Sequence, residues 1–267
     1  MLPADQNTPE GRTPESMLRL KRLAVFCLVA TCVITGLMFW VLGPSGAAGS
    51  WSQSAPPQSG AKLATLQGFS ARAVDITDST MDAEWLGQTA TQTGIPARAL
   101  QAYAAAAELA NAATPVCRIG WNTVAAIGFV ESAHGSHGGG SLSSTGQVSG
   151  PIIGPSLDGD SFAAIPDTDD GVLDGDALWD RAVGPMQFIP STWEQAGRDG
   201  NGDGVADPLN IDDAALSAAT YLCEGGRDLT TARGWTAAVL SYNQSESYVR
   251  QVRGQANAYA EQSRPAG

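Results

Sequence analysis

Apolar residues are spread unevenly along the chain. From Leu23 to Leu42 they form an unbroken run, LAVFCLVATCVITGLMFWVL, with no charge in 20 residues. A helix of that length rises about 30 Å, the thickness of the hydrocarbon core of a bilayer. Between residues 43 and 80, Ser, Gly, Ala, Pro and Gln dominate and large apolar side chains are few, the composition of a flexible linker. Beyond Met81 the spacing turns helical. Pro96 opens a helix over Ala97–Ala113. Trp121–Ala133 is a second, ended by Gly135. Ser191 and Glu194 fit a capping box for a short helix. Asp213–Glu224 is stopped by Gly225 and Gly226, and Thr231–Tyr242 and Glu246–Gln262 follow. Strand-like alternation is scarce and no internal repeat is visible. The expected class is mainly α, with one long Gly/Asp-rich insertion from about Gly135 to Asp180.

Charge orients this arrangement. Arg19, Lys21 and Arg22 precede the apolar run, and the next charge is Lys62. The positive-inside rule then gives a cytoplasmic tail over 1–22, a single transmembrane helix over 23–42, a linker over 43–80 and an extracytoplasmic domain over 81–264. The alternative is a signal peptide cleaved around Gly46 to Ser50, and the length of the run favours the anchor. Either way the domain is exported, where cysteines oxidise. Cys27 and Cys32 lie in the apolar run; Cys117 and Cys223 are the two outside it. A Cys117–Cys223 disulfide is expected, the alternative being two buried free thiols.

The chain carries a formal net charge of −12 and a pI near 4.4, the reverse of a nucleic-acid footprint. Its acidity is concentrated. Asp158 to Asp213 holds 14 acidic residues against Arg181 and Arg198, which reads as a solvated loop or a cation site. His134 and His137 are the two histidines, without a Cys or third His nearby, so zinc is discounted. No Ser-His-Asp arrangement, phosphate loop or organic-cofactor motif stands out, and nothing points to a protein partner.

One carboxylate stands on an apolar face. In GWNTVAAIGFVESAHG, Gly128, Ile127 and Val124 lie three, four and seven residues before Glu131, spacings that share one face of a helix. A carboxyl there loses hydration and its pKa rises. It then keeps its proton at neutral pH, as a general acid for glycoside cleavage must. The small Gly128, one turn back, is expected to leave space beside it. The bland alternative is a glutamate at a helix end that reaches solvent.

GFVESAHG, then AVGPMQFIPSTW, then LSYNQSESY resemble, in that order, motifs of the membrane-bound B-type lytic murein transglycosylases of the lysozyme-like superfamily. The resemblance covers about Met81 to Gln262. It implies a lysozyme-like transglycosylase domain acting on peptidoglycan, with Glu131 as catalytic acid and base. It places Gln187 and Phe188 along the sugar cleft, Tyr242 and Asn243 near the carboxylate, Tyr248 as a further cleft tyrosine and Ser132 at the small-hydroxyl position after the acid. Tyr103 is a candidate for the cleft rim. A glycosidase ordinarily needs two carboxylates, and these motifs supply one. In the family the C6 hydroxyl of N-acetylmuramic acid is the nucleophile and a 1,6-anhydro ring forms without water. An acidic residue of the insertion, among Asp167, Asp169, Asp170, Asp174 and Asp176, acting as a second carboxylate would make the enzyme a hydrolase instead. A third reading is a non-catalytic, calcium-stabilised wall-binding module.

Residues 199–213 read DGNGDGVADPLNIDD. Asp199, Asn201 and Asp203 take positions one, three and five of a calcium loop, Gly204 the sharp turn at six and the Val205 carbonyl position seven. Position twelve is Asn210 rather than a bidentate Glu. The resemblance implies a longer loop closed at position fifteen, which is Asp213. Oxygen ligands alone suit Ca²⁺, in a structural role.

Overall fold

A computed structural model describes residues 82–160 and 163–264. The expected cytoplasmic tail, transmembrane helix and linker lie outside the described residues, among which no helix is long and apolar enough to cross a membrane.

Among the described residues there are seven α-helices: α1 (Ala83–Thr93), α2 (Ala97–Ala113), α3 (Trp121–Ser132), α4 (Pro190–Ala196), α5 (Ile211–Cys223), α6 (Ala232–Tyr242) and α7 (Glu246–Gln262). The mainly α expectation therefore holds. Helix starts follow local chemistry. The Asp82 carboxylate accepts from Glu84 N at 2.8 Å, Asn210 Oδ1 from Asp212 N at 2.9 Å and Thr231 Oγ1 from Gly234 N at 3.1 Å, each satisfying a donor that the helix itself leaves open.

Two starts differ from the expected ones. The Ser191–Glu194 capping box does not form, because Pro190 takes the first helical position behind Ile189, where its missing N–H and fixed φ fit best. α5 begins at Ile211, two residues earlier than expected, because Asn210 supplies the cap and places Asp212 and Asp213 in the favourable first turn.

The core is built on small side chains. Ala99, Ala102, Ala106 and Ala110 of α2 and Ala214, Ala215, Ala218 and Ala219 of α5 are buried without exception, so the two backbones approach closely. α3 packs on both α2 and α7. Arg98 of α2 forms a two-pronged ion pair with the fully buried Asp212 of α5, and Gly146 turns tightly over this pair at φ 87. A Cβ at Gly146 would meet Arg98 Nη2 at 2.6 Å.

The insertion contains one antiparallel pair, β1 (Ile153–Ser156) with β2 (Arg181–Val183). Its aspartates mostly hold turns. Asp167 accepts from Asp169 N, Asp170 N and Gly171 N, buried Asp180 accepts from Thr168 N and Oγ1, and Asp176 pairs with Arg181 at 2.8 Å. Much of the acidity is therefore turn chemistry.

Cys117, after α2, and Cys223, at the end of α5, form a disulfide with Cα atoms 5.3 Å apart. It closes a loop with a sequence separation of 106 residues, long enough for a large entropic effect on the unfolded chain. Replacing both cysteines by serine is expected to cost about 2–5 kcal/mol of stability, read as a lower Tm; reduction of the native protein should lower it likewise.

Candidate active site

Glu131 sits in the last turn of α3. Val124, Ile127 and Gly128 beneath it are fully buried, whereas Glu131 is half-buried. α7 meets it from the side: the Tyr248 hydroxyl donates to Glu131 Oε1. Two influences oppose each other at this carboxyl. Burial raises its pKa, and donation from Tyr248 favours the charged form and lowers it; burial is the larger and the result is about 7. Tyr242, at the end of α6, lies close enough for the Glu131 charge to help raise its own pKa, after burial. Its hydroxyl donates to Met186 O at 2.7 Å, and its ring meets Phe188 edge-on at 5.7 Å. One carboxyl thus lies among tyrosines from two helices, poised between its two protonation states near neutrality. Among the described residues, no second carboxylate contributes to the shift at Glu131.

Several expected positions are corrected. Tyr103 is not at a cleft rim. It is fully buried, and its hydroxyl lies against His134 Nδ1 at 3.1 Å. Gly128 makes room for that hydroxyl, which a Cβ would overlap, rather than for a substrate beside Glu131. Phe188 is 3% exposed and packs between Trp193 and Tyr242, so it is a core aromatic and not a cleft wall. Ser132 is buried; its hydroxyl donates to Pro185 O at 2.6 Å and accepts from Gly135 N at 2.8 Å. Those bonds tie the end of α3 to the loop after β2 and leave nothing for a ligand.

Gln187, at φ 51, spends its amide N–H groups on Ile152 O and Gly184 O, at 3.2 and 3.0 Å. It locks the strand pair to the loop before α4. Asn243 is exposed at the end of α6. Sequence reasoning missed Tyr259 and the part played by His134, both bonded to each other behind α3. The available signal was Tyr259 standing three helical turns after Tyr248.

In the loop, Asp199 accepts from Gly202 N and Gly204 N, Asp203 from Val205 N, and Asp213 from Gly200 N, Asn201 N and Asp207 N. Asp213 is fully buried and Val205 is exposed. Among the described residues, the three acidic side chains whose oxygens come within 4.8 Å of one another are Asp167, Asp169 and Asp180, not those of the loop. Two cavities lie away from Glu131. One is lined by Leu173 and Trp193, the other by Trp85 and Trp121.

Residues 173–235 match the family model of the transglycosylase SLT domain. The matched segment spans Gln187, Phe188 and the Asp loop and stops short of both Glu131 and Tyr248, whose pairing is a finding of the geometry. Among solved structures, the chain is similar to the Escherichia coli lytic transglycosylase Slt35 in complex with bulgecin A. The identity is 15%, covering 71% of this chain and 82% of that one, at a TM-score of 0.38. No curated protein matches the sequence.

Tyr248→Phe removes the one donor that favours the ionised carboxyl. Glu131 is then expected to titrate above about 7, with the alkaline limb of any Glu131-dependent rate moving to higher pH. A titration of the carboxyl by carbon-13 NMR checks this, and an unchanged or lower value contradicts the assignment.

Proposed function

We propose that this domain is a lytic transglycosylase that cleaves the β-1,4 bond between N-acetylmuramic acid and N-acetylglucosamine in peptidoglycan, with Glu131 as sole acid and base. The observation that carries this reading is a half-buried carboxyl with a pKa of about 7, held by Tyr248 and shifted by no second carboxylate among the described residues.

The protonated Glu131 donates to the glycosidic oxygen as that oxygen's bond to C1 of the muramic acid residue breaks. Positive charge builds at C1 while Glu131 becomes anionic, the state that the Tyr248 hydroxyl stabilises. Glu131 then takes the proton of the C6 hydroxyl as its oxygen bonds to C1. The products are a 1,6-anhydromuramic end and a free 4-hydroxyl, with the proton back on Glu131 and no water consumed. A pKa near neutrality suits a group that must give and take a proton in one cycle. A retaining hydrolase would hold a second carboxyl about 5–5.5 Å away, close enough to raise the pKa of Glu131 further by like-charge repulsion; among the described residues it is burial that raises it.

The same reading places the domain outside the cytoplasmic membrane on a single-pass anchor over 23–42. The flanking Arg19, Lys21 and Arg22 and the Cys117–Cys223 disulfide support it. It also assigns Ca²⁺ to the loop of Asp199, Asn201, Asp203, Val205 and Asp213. The donor set fits a hard cation, since every group in it is an oxygen ligand. The ion would link the loop to the first turn of α5, through Asp213, and supply structural cross-linking only.

Glu131→Gln is expected to lower the release of fragments from purified peptidoglycan by about 100-fold or more while leaving the fold and wall binding intact. Mass analysis of wild-type products should find muramic ends lighter by one water than the hydrolysed sugar. Only reducing ends would make the protein a hydrolase, and undiminished lysis by the variant would move the catalytic group elsewhere.

For the loop, calcium at ten times its Kd should stabilise a chelated sample by about 1.4 kcal/mol, a rise of a few degrees in Tm. Asp213→Asn should remove that response. An unchanged Tm on adding calcium to the wild-type protein would refute the site.

A further inference from the structure

The chain leaves α3 through an unusual turn. Ala133, His134 and Gly135 are all left-handed, at φ 49, 62 and 81. Glycine adopts this region freely, but residues with a Cβ hold it only where their surroundings fix them. The backbone bonds of the turn, Ala133 N to Phe129 O and His134 N to Gly128 O, are both 2.9 Å and close the helix as a Schellman-type end. The side chain of His134 is the larger constraint. It is 6% exposed, and each ring nitrogen meets a tyrosine hydroxyl: Nδ1 meets Tyr103 of α2 at 3.1 Å and Nε2 meets Tyr259 of α7 at 2.9 Å. A neutral imidazole has one donor and one acceptor nitrogen, so one tyrosine donates and the other accepts. No charged side chain among the described residues bonds to either end of this relay. The Phe129 ring lies beside it at 5.7 Å.

The geometry joins this relay to Glu131. Tyr248 and Tyr259 stand 11 residues apart on α7, about three turns, and so share one face. That face grips α3 twice, through the hydroxyl on the Glu131 carboxyl and through the hydroxyl on His134. Glu131 lies three residues before His134 and has no second anchor of its own. We propose that His134 is a positioning residue for Glu131: the Tyr103–His134–Tyr259 clamp holds the left-handed turn that ends α3 and thereby sets how far the Glu131 carboxyl is withdrawn from water. The consequence for catalysis rests on the reading of Glu131 as acid and base; the effect on the carboxyl does not. The titratable groups facing the carboxyl are Tyr248 from α7 and Tyr242 from α6, and those facing His134 are Tyr103 and Tyr259.

The test uses the full chain with two variants, His134→Gln and Tyr259→Phe. The second removes one hydroxyl and keeps the ring packed, so it decides the matter if the first does not fold. Glu131 is titrated by carbon-13 NMR, its signal identified by its absence from Glu131→Gln. In both folded variants it should titrate at lower pH than in the wild type, because the released helix end lets water reach the carboxylate. On peptidoglycan, kcat should fall by about tenfold or more with KM held. A fall in Tm with the titration and kcat unmoved would make His134 an ordinary core histidine and overturn the proposal. If Glu131→Gln keeps full activity, the catalytic reading fails by itself, and the Glu131 titration still decides the clamp.

Discussion

Keeping one carboxyl out of water at the end of a helix is the constraint that organises this domain. A glutamate that held its ordinary value of 4.5 would be fully ionised at neutral pH; in place on α3 it reaches about 7. Such a group opposes folding at alkaline pH. Between its unfolded and folded pKa the native state holds a proton that the unfolded chain has released, so stability falls as pH rises through that window and stays lower above it. The fold must therefore supply, around this position, more than the position returns. α7 does so through Tyr248, which recovers part of the lost solvation by donating to the carboxylate.

The support comes from packing that leaves little slack. Fully buried alanines on α2 and α5 let those helices approach closely, and α3 rests on α2. The buried Arg98–Asp212 pair and the Cys117–Cys223 disulfide fix α2 to α5 near its two ends. Breaking a buried pair by removing one partner strands the other charge, so the joint also enforces register. The loop after β2 adds to this scaffold: Ser132 bonds to Pro185 O, and Gln187 bonds to Ile152 O. Side chains close to the carboxyl in sequence or in motif are thus spent on holding the backbone that carries it.

That division explains what could be read from the residues alone. The apolar stripe of Val124, Ile127 and Gly128 under Glu131 was legible because helical periodicity is a local property. The helices were legible for the same reason, and the disulfide partners because only two cysteines lay outside the apolar run. Tyr103, Phe188 and Ser132 were misplaced because a polar or aromatic residue near a motif looks the same whether it faces a ligand or a backbone carbonyl. The difference is set by partners distant in sequence, such as Tyr259 for His134 or Pro185 for Ser132. Gly128 shows the point sharply. Its missing side chain was visible, but the occupant of the space, the Tyr103 hydroxyl, comes from another helix.

A single carboxyl flanked by tyrosines also limits the chemistry that can follow. Phenols as strongly buried as Tyr242 and Tyr248 stay protonated, so they donate hydrogen bonds and do not act as bases. On the proposed reading, a proton that leaves the substrate near Glu131 goes to Glu131 itself, after it has given its own away. A nucleophile delivered by the substrate, already tethered to the reacting carbon, needs no separate base to activate it and gains from proximity what a second carboxylate would otherwise provide. On the proposed reading, the opposing effects of burial and Tyr248 would let one group serve in both directions. More burial would make the carboxylate a reluctant leaving state for the proton, and a stronger donor would make the acid ionise before the substrate arrived.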